Sequence, residues 1–142
     1  MIMLDTNVIS ENLRPRVNHQ VLNWINSQHE GSLYICAPVV AELRYGVERL
    51  TPGRRQADLR SAVENIVDGL FQGRTLPFDA AATITYGRVM VKREQTGRRI
   101  ELMDAMIAAI ALTHSAILAT RDTRDFADLG IELVNPFEAP IA

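Results

Sequence analysis

The sequence predicts a three-layer α/β/α sandwich, with a mostly parallel five-stranded sheet covered on both faces by helices. Three observations carry that expectation. Short apolar runs alternate with longer stretches of helical periodicity, the runs are continuously apolar rather than alternating, and turn residues separate the two kinds of segment. Continuous apolarity is the mark of a strand buried on both faces.

The elements follow in order. Met1 to Leu4 is an apolar run ending at Asp5 and the turn-prone pair Thr6-Asn7, and it reads as a first strand. Val17 to Ile25 carries Val17, Val21, Leu22, Trp24 and Ile25 at helical spacing. Leu33 to Ala37 is a second strand, and Pro38 suits the first turn of a helix running to about Leu50. Thr51-Pro52-Gly53 breaks the chain. The next helix gathers Leu59, Val63, Ile66, Val67 and Leu70 on one face and stops at Gly73. Arg74 to Phe78 is a third strand. Asp79 caps a long helix reaching Gln95, which Gly97 terminates. A further helix spans about Leu102 to His114, Ile117 to Thr120 is a fourth strand, Asp122 to Phe126 a turn, and Ile131 to Val134 a fifth strand.

No linker, repeat or low-complexity segment interrupts this pattern, so one domain is expected over residues 1–142. A hydrophobic share of 47% with 23% charged residues excludes a disordered chain. Only Met1 to Leu4 precede the first acid, which leaves no room for a signal peptide. The longest apolar stretch, Ala105 to Leu112, is too short to span a bilayer. A soluble cytoplasmic protein is the expectation. The single cysteine, Cys36, lies in an apolar run and reads as a buried, inert thiol. The net charge of −2 argues for no particular partner. Of the 15 basic residues 14 are arginine, which suits phosphate recognition but equally reflects codon composition.

Four acids share one destination. In open parallel sheets ligands bind beyond the carboxyl ends of the strands. Asp5 ends the first strand, and Asp122 follows the fourth after only Arg121. Glu42 sits in the first turns of the helix after the second strand. Asp104 sits in the first turn of the helix leading into the fourth strand, which again places it at the carboxyl edge. Each has a plainer explanation: Asp5 as a helix cap, Glu42 as a solvated residue facing Arg49, Asp104 as a cap or dipole-complementing acid, and Asp122 as an Asx-turn residue. Asp125 reads first as a turn residue. Against the plain reading of Asp104, it is the only charged residue between Leu102 and Leu112, on a helix otherwise fit for burial.

Two carboxylates about 5 Å apart repel by about 3 kcal/mol at an effective dielectric near 20. Four such groups stay ionised together only with positive charge between them, and magnesium is the natural occupant. The histidines, His19, His29 and His114, lack ligand spacing and read as structural or exposed. A magnesium ion held by carboxylates binds phosphate oxygen and acidifies a bound water, which are the needs of phosphodiester hydrolysis. In that division of labour Asp5 and Asp104 hold the principal metal, Asp122 holds that metal or a second one, and Glu42 orients or deprotonates the attacking water.

The motifs also resemble a known family. Met1-Ile2-Met3-Leu4-Asp5-Thr6-Asn7-Val8-Ile9-Ser10 is similar to the opening of PIN-domain proteins, particularly the VapC toxins of bacterial toxin–antitoxin pairs. Val40-Ala41-Glu42-Leu43-Arg44-Tyr45-Gly46-Val47 resembles their second motif, Asp104-Ala105-Met106-Ile107-Ala108-Ala109 the third, and Ala119-Thr120-Arg121-Asp122-Thr123-Arg124-Asp125-Phe126 the last. The likeness is greatest to the FitB-type subgroup and runs to Asn135-Pro136-Phe137. Four motifs in this order are far more specific than any one of them. The resemblance implies a PIN fold, Mg²⁺ or Mn²⁺ dependence, and endonucleolytic cleavage of RNA, commonly tRNA or rRNA. It assigns metal-site roles to Asp5, Glu42, Asp104 and Asp122. It further implies a homodimer and inhibition by a small antitoxin of the VapB or FitA kind, often DNA-binding, whose tail inserts into the active site. In many relatives asparagine stands at the position of Asp122 and the acid at that of Asp125. Both are acidic here, which leaves two candidates for the fourth acid at the metal.

Rival readings fare worse. A receiver-type phosphorylation switch wants paired acids after the first strand and a lysine near the last, whereas Asp5 is followed by Thr6-Asn7 and Lys92 lies mid-helix. An aspartyl phosphatase wants a second aspartate where Asn7 stands. The reading that survives beside the nuclease is a PIN fold acting mainly by binding nucleic acid or a partner protein.

Overall fold

Strand β1 (Ile2–Leu4) occupies the middle of the sheet in the computed structural model, which describes residues 1–138. The final four residues of the expected single domain lie outside that description. Strands β2 (Leu33–Cys36) and β3 (Thr75–Leu76) lie on one side of β1, and β4 (Ile117–Ala119) and β5 (Leu133–Val134) on the other, in the order β3-β2-β1-β4-β5. Every pairing is parallel, with Ile2 opposite both Leu33 and Ile117, Ile35 opposite Thr75, and Leu118 opposite Leu133. The mostly parallel sheet expected from sequence is therefore wholly parallel. Successive residues Met3-Leu4, Ile35-Cys36 and Leu118-Ala119 are fully buried. Since neighbouring strand residues point to opposite faces, both faces of the sheet are covered.

Six α-helices complete the layers among the described residues: α1 (Thr6–Ile9), α2 (His19–Ser27), α3 (Ala37–Glu48), α4 (Arg54–Glu64), α5 (Ala80–Gln95) and α6 (Leu102–Thr113). Helix α6 is apolar nearly all round and buries Ala105 and Ile107 through Ala111, as a central helix must. Asp79 caps α5 by accepting from the Ala82 amide at 3.1 Å, and Gly97 ends the segment at φ +70°. Both features are the ones the sequence marks. None of the helices is long and apolar enough to cross a membrane.

Three departures have local causes. Thr6-Asn7 is not a simple turn: it opens α1, which continues as a 3₁₀ turn over Ser10–Leu13. The helix expected from Val17 starts at His19, because the Asn18 side chain accepts from the amides of Gln20 and Val21 and fixes the cap there. The helix expected to run through Leu70 is α-helical only to Glu64 and then widens to a π-helix over Asn65–Leu70. Past that turn, Arg74 donates to the carbonyls of Leu33 and Leu70 while its guanidinium stacks 5.3 Å from the Phe71 ring centroid. The strand that follows shrinks to Thr75–Leu76.

The topology explains why the carboxyl edge of the sheet is the place for a site. The chain moves from β1 outward through β2 and β3, then returns to the far side of β1 with β4. Crossovers therefore diverge at the carboxyl ends of β1 and β4 and leave a crevice there. Ile107, fully buried on α6, should be a stability determinant of this arrangement. Truncation of Ile107 to alanine is expected to cost about 3 kcal/mol in denaturant unfolding, and a loss below about 1 kcal/mol would contradict the burial of α6.

Candidate active site

The crevice is built outward from Asp5. The Asp5 amide continues the β1–β4 ladder to the Ala119 carbonyl at 2.9 Å, so its side chain leaves the backbone just where the strands end. One carboxylate oxygen, Oδ1, accepts from the Thr6 amide at 2.8 Å and caps α1; the other, Oδ2, accepts from the Thr120 hydroxyl at 2.7 Å. Capping and membership of the acid group thus coexist in one residue. Asp5 is only 5% exposed, and burial lifts its carboxyl above the usual range. The bonds from Thr120 and Thr6 oppose that rise, while the charges of Glu42 and Asp122 add to it.

Two short polar links tie Asp5 to its neighbours. The Thr6 hydroxyl donates to Glu42 Oε1 at 2.9 Å, joining α1 to α3. Glu42 therefore does not face Arg49, whose guanidinium lies 5.6 Å from the Tyr45 ring centroid. On the other side the Asn7 amide reaches Asp122 Oδ2 at 3.0 Å and Asp5 Oδ2 at 3.4 Å, while Asn7 Oδ1 accepts from the Arg121 amide at 3.1 Å. The Thr120 hydroxyl also accepts from the Asp122 amide at 3.0 Å. Asp122 makes no side-chain cap to the 3₁₀ turn Thr123–Phe126 that follows it, so its carboxylate is free to face the crevice.

Asp104 enters from the first turn of α6 and caps nothing; the residue before that helix is Glu101. Its carboxyl rises from an ordinary 3.8 to about 7, first through burial and then through the charges of Asp5, Asp125, Glu42 and Asp122, in that order. The structure thus gathers all four acids singled out in the sequence, from four segments of the chain. It adds a fifth. Asp125 lines a small cavity of about 150 Å³ with Arg99, Ile100, Glu101 and Asp104, and acts on Asp104 more strongly than Asp122 does. Among the described residues no group of three or more acidic, histidine or cysteine side chains is arranged so that it could hold a metal ion. The acids are neighbours held apart, with the Asn7 amide standing between two of them.

The remaining candidates are inert. Cys36 is buried at the end of β2, and burial together with the nearby charges of Asp5 and Glu42 pushes its thiol up to about 12. No thiolate forms there near neutrality. His19 and His29 are exposed and His114 is half-buried at the end of α6. At the rim the Arg121 guanidinium stacks 4.1 Å from the Phe137 ring centroid. Sequence reasoning missed Thr6, Asn7 and Thr120 as members of the site, although each lies within two residues of an acid in a motif; their turn propensity masked them.

Comparison with known proteins identifies the family of the chain. Residues 2–132 match the family model described as PIN domain. The toxin FitB of Neisseria gonorrhoeae is 41% identical over 137 residues, spanning 96% of this chain and 99% of that protein. The VapC ribonuclease Y4jK of Sinorhizobium fredii is 40% identical over 138 residues, spanning 97% and 99% respectively. The crystal structure of FitAcB from Neisseria gonorrhoeae superposes with a TM-score of 0.92 at 40% identity, covering 98% of this chain and all of that one. With a family match across nearly its whole length and relatives this similar from end to end, the chain belongs to the PIN-domain family.

Proposed function

We propose that this protein is a divalent-metal-dependent endoribonuclease and the toxin of a toxin–antitoxin pair, with Asp5, Glu42, Asp104 and an acid of the Asp122–Asp125 turn as its catalytic group. The observation that carries the reading is the gathering of these carboxylates from four chain segments at the open end of the sheet, where Asp104 is driven up to about 7 by burial and by the others. Relatives that match end to end are a VapC ribonuclease and the toxin FitB, which supports both halves of the proposal.

The donor set fits a hard cation. It consists of carboxylate oxygens, with no soft ligand within reach except a thiol that stays protonated. Asp5 and Asp104 are the residues to hold Mg²⁺, or Mn²⁺ in its place, and Asp122 or Asp125 the residue to complete the set. Such a cation, when bound, offsets the charge that develops on a phosphodiester and acidifies a bound water. The chain's own residues do the rest. Thr6 engages Oε1 of Glu42, which leaves Oε2 to orient a water and accept its proton. Thr120 and the Thr6 amide fix both oxygens of Asp5, so that carboxylate offers one orientation only. Arg99, beside Asp104 in the cavity wall, is placed to meet a phosphate of the RNA. Structured RNA is the substrate class, with tRNA and rRNA as first candidates, and the partner is a small antitoxin that covers the crevice.

Purified protein is expected to cleave structured RNA with Mg²⁺ or Mn²⁺ and to stop in EDTA. Asp5→Asn should lower the rate by at least about 10³-fold with the fold intact, since a carboxylate that holds the cation is lost while the side chain keeps its size; wild-type activity in that variant would take Asp5 out of the site. A second expectation concerns pH. The raised carboxyl of Asp104 means that the metal-free native state binds more protons than the unfolded chain between about pH 4 and 7. Metal-free stability should therefore fall as pH rises through that window, and Asp104→Asn should raise the metal-free melting temperature at pH 8 by roughly 4 °C. Added Mn²⁺ should restore the wild type but not the variant; a melting curve indifferent to both pH and metal would refute the crowding of charge. Third, expression alone should arrest growth, and co-expression of a neighbouring antitoxin gene should relieve it. Unimpaired growth would remove the toxin role while leaving the nuclease to be judged by the cleavage assay.

A further inference from the structure

Arg93 is the one buried cation of the molecule among the described residues, 3% exposed on the last turn of α5. Among the described residues it has no carboxylate partner at ion-pair distance, which is unusual for a charge out of water. Its guanidinium is spent on main-chain carbonyls instead. One terminal nitrogen donates to the carbonyls of Asp125 and of Ala127, the latter at 3.1 Å, and the other to the carbonyl of Arg99 at 3.5 Å. Its Nε is buried without a partner. Those three carbonyls belong to the two segments that wall the small cavity beside Asp104, namely the Arg99–Glu101 approach to α6 and the turn carrying Asp125.

We propose that Arg93 is a positioning residue for the metal centre: one buried guanidinium, spanning both walls of the cavity, fixes Asp125 opposite Asp104. The inference rests on the metal-dependent reading above and deepens it by naming what selects Asp125 over Asp122. Asp122 is held by Asn7, which also reaches Asp5, whereas among the described residues Asp125 has no hydrogen bond or ion pair to its side chain and depends on its backbone for its place. A clamp on the Asp125 and Ala127 carbonyls holds that backbone at the residue itself and two positions on. Fork geometry matters here, because three carbonyls on two segments need a planar group with separated donors, which the compact ammonium of lysine lacks. The location of the charge is equally apt. Burial and then the like charge of Arg98 work against the Arg93 guanidinium, and the charges of Asp125, Asp128 and Asp104 oppose that, so the cation sits on the acidic side of the turn.

The test is a calorimetric Mn²⁺ titration of four proteins: wild type, Arg93→Lys, Asp125→Asn and the double variant. Arg93→Lys is expected to weaken Mn²⁺ binding about ten-fold, the usual effect of removing a group that orients a ligand. In the Asp125→Asn background the same change should alter affinity less than about two-fold, because the carboxylate through which Arg93 acts is gone. A merely structural role would give equal losses in both backgrounds, and that result would overturn the proposal, as would a lysine variant that binds like wild type. Wild-type protein that takes up no Mn²⁺ would overturn the metal reading itself, an outcome distinct from failure of the clamp alone. Should Arg93→Lys fail to fold, hydrogen exchange of the metal-free wild type decides: the Asp125 amide, bonded to the Asp122 carbonyl at 3.0 Å, should be protected before metal is added. Exchange at the rate of an open chain would overturn the clamp.

Discussion

Mutual repulsion between carboxylates is the constraint to which the carboxyl edge of this sheet is fitted. Burial lifts the carboxyls of Asp5 and Asp104; the charges of Glu42 and Asp122 add to the rise of Asp5, and those of Asp5, Asp125, Glu42 and Asp122 add to that of Asp104. Like charges so placed would swing outward if their side chains were free, since each surface rotamer that enlarges their separation is favoured. Here the escape routes are closed by short polar contacts. Thr6 holds Glu42, Thr120 and the Thr6 amide hold Asp5, and Asn7 holds Asp122. These contacts also hold the tip of β1, the start of α1 and the loop after β4 in register. The polar network and the local fold are therefore one structure.

Such an arrangement works against the stability of the isolated chain. A carboxyl lifted to about 7 is one whose ionised form the fold disfavours, and the disfavour is concentrated on the acid that projects from the most apolar helix. The rest of the molecule offsets it by ordinary means. The sheet is buried on both faces, α6 is enclosed, and Phe126, directly after Asp125, is almost wholly buried and pins the turn to the core. Pre-arranged repulsion of this kind makes sense where a cation is the missing partner, because the cation then collects the energy stored in the crowd.

How much of this was legible in the sequence follows the range of the signals. Strands, the Asp79 cap and the Gly97 stop are local patterns, and they sit where the residues place them. The gathering of Asp5, Glu42, Asp104 and Asp122 was legible too, because parallel topology sends strand ends and helix starts to one edge. The misses share a cause. Thr6, Asn7 and Thr120 work through contacts between residues up to 115 positions apart, and nothing local separates a turn threonine from one that grips a carboxylate. Arg93 is hidden more deeply. It follows Val89 by one helical turn on a helix rich in polar residues, and only packing reveals that this turn faces inward. The π-helix at Asn65–Leu70 likewise has no sequence signature, since its apolar residues fit α spacing equally well.

The presence of two acids in the turn after β4 has a physical resolution in these contacts. Asp122 is exposed, yet its carboxylate is committed to Asn7, which also reaches Asp5. Asp125 is likewise exposed, shares the cavity wall with Asp104 and outranks Asp122 in its effect there. The two acids are therefore not equivalent spares. One extends the network that fixes Asp5, and asparagine in its place would keep the size and one acceptor oxygen for Asn7. The other brings negative charge to the side of Asp104 that no other strand end reaches. An amide there would leave Glu101 as the other acid of that wall beside Asp104, while the clamp from Arg93 would continue to hold a position without its charge.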